Sequence, residues 1–243
     1  MDTMLVRERY KVVRVSDVRE DYAFAEAVDI LDREKSGCLL NLYEGPLLRA
    51  YLPCFDKLTA CPAFLGMFLE GETLVTVFRD CTGTPIDQVF YRGDKHDWKT
   101  RMEYAEQLFH QALSMADLPP EVSCATFLSE NLLVDERNRE LRLRYHVVPL
   151  EGMNARELVY LTCDQAHKIL LSRFSSPREE LEFLDELDRG TCLSVVQLYA
   201  LWRERSETIR TAYEKLEKKN FFWRWCSLVW GRIRRRAARR KRR

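Results

Sequence analysis

The chain has 243 residues, 46% hydrophobic and 11% aromatic, enough to bury a substantial core and too apolar for wholesale disorder. Its net charge of +1 conceals an asymmetry: residues 232–243, RIRRRAARRKRR, hold nine Lys/Arg and no acid, and removing nine from +1 leaves the preceding residues at −8. The opening MDTMLVRERYK lacks the apolar run of a secretory signal, and no stretch approaches the roughly 18 apolar residues of a membrane span. The eight cysteines are scattered, with no CxxC pair and no Cys/His cluster at zinc spacing. That pattern favours buried thiols in a reducing compartment over a disulfide framework or a metal site.

In chain order, alternating or continuous apolar runs predict strands at Arg9–Val15, Ala23–Ile30 and Cys38–Tyr43. A helix over Leu47–Leu58 follows, then a hairpin of Ala63–Leu69 and Glu72–Phe78 around Glu70-Gly71. Gly66 to Thr73 nearly matches a phosphate loop, but Glu72 stands where the lysine belongs, and Met67-Phe68-Leu69 reads as strand. Met102, Ala105, Leu108, Phe109, Ala112, Leu113 and Ala116 fall on one face of a helix over Trp98–Ala116, which Pro119-Pro120 stops. Residues 124–147, CATFLSENLLVDERNRELRLRYHV, predict two short strands around a charged turn.

Beyond Pro149 the pattern is helical. One helix is predicted over Ala155–Phe174, a second from Pro177 to near Gly190, and a third opened by Ser194 with Gln197. The stripe of the third is Leu198, Trp202, Ile209, Tyr213 and Leu216. Strands with one inserted helix, a long helix, a hairpin and then helices make an α+β chain.

This succession resembles the protein-kinase fold, which implies a two-lobed architecture: an N-lobe of about 1–80 and an abbreviated helical C-lobe of about 81–205. Residues 206–243 would form a C-terminal helix with an aromatic and polybasic tail. The resemblance implies where kinase chemistry would lie, and nearly all of it is missing. No two glycines have the G-x-G spacing of the phosphate lid, and Val15–Ala23 has none. The third-strand lysine position falls on Asn41, and Leu47–Leu58 contains no glutamate to pair with it. The catalytic carboxylate becomes Thr126. Asn131, a second-metal ligand in kinases, is retained, and the D-F-G aspartate falls on Arg144 or Tyr145, depending on a one-residue slip in the turn. An asparagine with an arginine or tyrosine cannot hold two divalent ions. The expectation is therefore a pseudokinase-like domain that is not an enzyme and needs neither cofactor nor metal. Glu130, Asp135 and Glu136 are the carboxylates a degenerate nucleotide-binding phosphotransferase would have to use instead.

Elsewhere, Cys163 and His167 share a helical face, but no oxyanion site accompanies them, so they read as core. His146 has the better claim to line a cleft. The C-terminal FFWRWCSLVW concentrates Trp223, Trp225 and Trp230 ahead of Arg232, Arg234, Arg235, Arg236, Arg239, Arg240, Lys241, Arg242 and Arg243. Indoles favour the headgroup region and cations favour anionic lipid, the two signals that stable peripheral attachment requires. The expected partner is an anionic membrane surface or a membrane protein, at the cytoplasmic face. Nucleic acid is the lesser alternative, because the aromatics form one cluster instead of interleaving with the charges. A tail docked on the acidic body is the other. The layout is also similar to the cytoplasmic pseudokinase domain of the type VII secretion membrane component, where a transmembrane helix follows the kinase-like domain; here the sequence ends where that span would begin.

Overall fold

The computed structural model describes residues 4–170, 175–219, 226–231 and 233. Its elements are β1 (Leu5–Val6), β2 (Tyr10–Arg19), β3 (Tyr22–Asp29), β4 (Gly37–Tyr43), α1 (Gly45–Asp56), a 3-10 turn (Lys57–Ala60), β5 (Phe64–Glu70), β6 (Thr73–Arg79) and β7 (Thr84–Pro85). There follow α2 (Ile86–Val89), α3 (Trp98–Met115), α4 (Pro120–Thr126), β8 (Leu132–Asp135), β9 (Glu140–Leu143), α5 (Ala155–Ile169), α6 (Arg178–Asp188) and α7 (Val195–Glu217). The chain divides into two compact units, one of Met1–Pro85 with Met115–Glu157, the other of Ile86–Ser114 with Leu158–Arg243.

The first unit holds an antiparallel sheet in the order β1-β2-β3-β4-β6-β5 and a smaller sheet, β7-β8-β9. The large sheet curls until its edges meet: the Arg7 guanidinium lies 4.8 Å over Phe68, and Tyr10 stacks on Phe68 at 6.0 Å. Inside the curl, Val6, Tyr10, Ala25, Ala27, Cys38, Leu40, Val75 and Val77 form one apolar cluster. Because side chains alternate along a strand, Leu39, Asn41 and Tyr43 of β4 face the other way. There α1 supplies Tyr51 and Phe55, and Tyr51 stacks on Tyr43 at 4.6 Å.

Several segments depart from the sequence reading. β2 runs on to Arg19, with register shifts between Val12 and Arg14 and between Val15 and Asp17; such bulges break the apolar alternation that signals a strand. Cys124-Ala125-Thr126, read as the entry to a strand, closes α4, whose first residue is Pro120. The fixed φ of proline, which ends one helix, also suits the first turn of the next. Gly71 adopts φ +62 in the β5–β6 turn, so the near phosphate loop is a tight hairpin.

The second unit is helical. Phe109 of α3 stacks on Trp202 of α7 at 4.8 Å, Phe183 of α6 lies 5.4 Å from the same indole, and Trp202 Nε1 donates to Glu106 Oε2 at 2.7 Å. The predicted α7 stripe is buried throughout. α3 ends at Met115, which is buried while Ala116 is exposed. α7 continues unbroken through 205, and the expected end of α5 at Phe174 lies outside the described residues.

Candidate functional site

The four positions that the kinase resemblance singles out in the sequence, with both alternatives at the last, lie together in the first unit. Asn41, at the lysine position, pairs with Phe24 of β3 and Thr76 of β6 and is fully buried. Its side chain is satisfied in three directions. Nδ2 donates to the Tyr145 carbonyl at 3.0 Å, and Oδ1 accepts from Val147 N at 2.8 Å and from the Tyr22 hydroxyl at 3.0 Å. The amide thus acts as a one-residue strand partner for the extended segment after β9. Tyr43 adds a bond from its hydroxyl to the Val147 carbonyl at 2.6 Å. Where the kinase resemblance implies a lysine–glutamate pair across the third strand and the helix, this chain has Tyr43, Tyr51 and Phe55 in ring contact, with Phe78 against Phe55.

Thr126 is fully buried at the end of α4, with its hydroxyl donating to the carbonyls of Val122 and Ser123. It is a helix-terminal hydroxyl aimed at its own backbone, unable to position a nucleophile. Asn131 is buried as well, and its Nδ2 ties the Ala125 carbonyl at 2.7 Å to the His146 carbonyl at 2.9 Å. Its Oδ1 has no hydrogen-bond partner among the described residues.

The two alternatives at the D-F-G aspartate diverge. Arg144 N donates to the Asn131 carbonyl at 2.8 Å, while its guanidinium reaches Glu26 of β3 at 2.5 Å and stands 5.3 Å over Phe24. Tyr145 turns inward, stacks on Phe78 at 4.8 Å and receives a Cys61 thiol contact at 3.4 Å. Burial raises the Tyr145 phenol well above its ordinary range, so it stays neutral. His146 lies face to face with Phe24 at 4.0 Å, with Nε2 3.5 Å from Asp17 Oδ2 but without an aligned hydrogen bond. Burial lowers its pKa, against the opposing pull of Asp17.

The nearby carboxylates do not converge on this cluster. Asp135 accepts from the backbone of Arg137 and Asn138 and pairs with Arg142 at 2.8 Å, shaping the β8–β9 turn. Glu130 and Glu136 are exposed. Among the described residues no group of three or more His, Cys, Asp or Glu could hold a metal ion. Cys163 has its thiol pushed up to about 12 by burial, and His167 Nε2 sits 3.0 Å from Asp188 instead; a protonated thiol is a poor nucleophile. Tyr22 and Phe24 were missed by sequence reasoning. Their signal was two aromatics at alternate positions of one strand, which point to the same face.

At the other end of the chain, residues 226–231 are helical, with Leu228 8% exposed and Trp230 58% exposed. Trp223, Trp225, Arg232, Arg234, Arg235, Arg236, Arg239, Arg240, Lys241, Arg242 and Arg243 lie outside the described residues. No described helix is long and apolar enough to cross a membrane.

No protein-family model and no curated protein matches this chain. Solved structures do. The GRMZM2G135359 pseudokinase in its apo form matches at TM-score 0.55 and 13% identity, covering 81% of this chain and 92% of that one. Rad53 residues 1–466 in complex with AMP-PNP match at TM-score 0.55 and 11% identity, covering 74% of this chain and 60% of that one. The chain therefore has a protein-kinase-like α+β fold, shared with a pseudokinase and with a kinase.

Proposed function

We propose that this chain is a non-catalytic, pseudokinase-like protein that works as a scaffold or regulator through its surfaces, held at the cytoplasmic membrane face by its C-terminal tail. One observation carries the first half. Asn41, where phosphate would need a lysine, is fully buried and spends its amide on Tyr145, Val147 and Tyr22. Phosphoryl transfer depends on positioned cations and metal ions, and here the position that should supply a cation supplies a structural brace. The similarity in fold to the GRMZM2G135359 pseudokinase supports the same reading. Differential scanning fluorimetry of the full chain tests it: ATP with Mg²⁺ is expected to leave the melting midpoint unchanged. A Mg²⁺-dependent rise with saturating nucleotide would overturn the proposal in favour of a degenerate phosphotransferase. That second reading has one observation behind it, the buried Asn131 Oδ1 without a partner among the described residues.

The second half rests on the tail. Nine cations and a preceding tryptophan cluster supply both signals for peripheral attachment. The exposed Trp230 and Ile233 on the last described turn offer an apolar face to the headgroup region. Nucleic acid remains the competing partner for the same charges.

A further inference from the structure

The helical segment 226–231 packs against its own unit and borders a groove. Ser227 and Leu228 form one wall, Lys215 and Leu216 of α7 with Lys219 just beyond its end another, and the start of α6 at Arg178 the third. Leu216 and Leu228, 6% and 8% exposed, supply its apolar part. Lys219 Nζ donates to Ser227 Oγ at 3.0 Å, which holds that ammonium at the rim. Lys215, one helical turn earlier, is exposed and has no ion pair among the described residues. Arg178 is paired with Glu182 at 2.7 Å. The two lysines therefore face the single carboxylate of Glu179, and the rim carries a positive excess.

Gly231 lies beside the start of α6, where even a Cβ on it would be in ordinary contact with Arg178 Cβ at 3.4 Å. At about 100° per residue, Ser227, Leu228 and Gly231 share the docked face. Cys226, Trp230 and Ile233 share the opposite one, where Trp230 and Ile233 are 58% and 52% exposed.

We infer that this groove seats the phosphate-bearing headgroup of an anionic phospholipid. The inference rests on the membrane reading above and gives it a defined site. Two ammonium groups and a hydroxyl offer charge-assisted hydrogen bonds to phosphate oxygens. The two leucines accept the glycerol and ester portion that inorganic phosphate lacks. The outward face of the same short helix carries an indole and an isoleucine suited to the headgroup boundary.

The test uses the full chain and dihexanoyl phosphatidylglycerol kept below its micelle concentration, titrated calorimetrically. Inorganic phosphate at equal concentration is a second arm, and co-sedimentation with phosphatidylcholine vesicles containing phosphatidylglycerol is a third. The short-chain lipid is expected to bind more tightly than inorganic phosphate. Lys215→Gln/Lys219→Gln is expected to weaken it by roughly tenfold or more, since each lysine near an anionic headgroup is worth about fivefold. Lys215→Gln alone, at an exposed site, gives about fivefold and guards against misfolding of the double variant. Unchanged affinity in both variants would overturn the seat, as would equal binding of lipid and inorganic phosphate. If vesicles bind both proteins equally, the seat fails and membrane attachment stands. If vesicles bind neither while the short-chain lipid still needs the lysines, attachment fails and the seat stands.

Discussion

Asn41 shows how one side chain can convert a catalytic position into a structural one. A lysine there would bring a charge into a site walled by Tyr22, Tyr43 and the 145–147 backbone, where burial of an ammonium is costly without a paired carboxylate. Asn41→Leu keeps the branched shape, with a bulkier side chain, and removes the bonding, leaving the Tyr145 carbonyl, the Val147 amide and the Tyr22 hydroxyl without their partner. The expected loss is about 3 kcal/mol of unfolding free energy, read from urea denaturation. A loss under about 1 kcal/mol would mean that the brace matters little.

His146 makes a prediction of different sign. Burial holds its pKa below the ordinary 6.5, with Arg144 and Arg19 also opposing the charge and Asp17 and Glu130 favouring it. Between the folded pKa and 6.5 the unfolded chain binds the proton and the folded chain does not, so stability falls as pH drops below about 6.5. His146→Phe keeps a ring against Phe24 and is expected to flatten the stability–pH curve just below pH 6.5. Parallel curves for the two proteins across that window would count against the assignment.

Elements were most legible where one physical cause dominated. The α7 stripe was readable because one face of a long helix is buried without interruption, and its start was readable because the cap is local. Ser194 Oγ accepts from Gln197 N at 3.3 Å, and Gln197 Oε1 reaches back past the cap to accept from Leu193 N at 2.8 Å. Ser194→Ala is expected to cost about 1 kcal/mol in equilibrium unfolding, and Gln197→Ala a similar or smaller amount. If neither moves the midpoint, the cap is redundant with the packing of Val195 and Leu198.

Elements were less legible where causes compete. The bulges in β2 displace Val13 and Ser16 from the alternation, so the strand looked shorter than it is. Cys124–Thr126 looked like strand entry because the kinase-like rhythm of the following residues extends backwards across a short helix, whose opening at Pro120 is masked by a proline pair that reads as a stop for the helix before it. Within the candidate site, Asn41, Thr126 and Asn131 were singled out from element order, and each is a buried side chain bonded to nearby backbone. Which of Arg144 and Tyr145 turns inward was not legible, because that depends on which side chain the surrounding core can bury. Tyrosine fills the space against Phe78, while arginine reaches Glu26.

At the scale of the whole molecule, the deciding feature is the separation of charge. Residues 1–231 sum to −8 and residues 232–243 to +9, giving the net +1. Three uses of those cations predict different responses to a chain ended at Gly231. If the tail docks on the acidic body, truncation lowers the melting midpoint at low ionic strength, and the difference closes as salt shortens the screening length to about 8 Å. If it binds nucleic acid, truncation abolishes duplex binding whose affinity falls steeply with salt. If it binds anionic lipid, as proposed, truncation leaves the midpoint within about 2 °C, since charges that engage lipid and not the body add little to the folding free energy. Sedimentation with phosphatidylglycerol vesicles is then lost. Trp230→Ala in the full chain separates the two membrane signals further. It is expected to weaken vesicle binding several-fold while leaving its salt dependence intact, because the indole contributes apolar insertion and the arginines contribute the charge. Equal binding by Trp230→Ala and the unmodified chain, with the same loss on truncation, would leave the electrostatic term alone as the attachment. It would also remove the exposed face of residues 226–233 from the membrane contact.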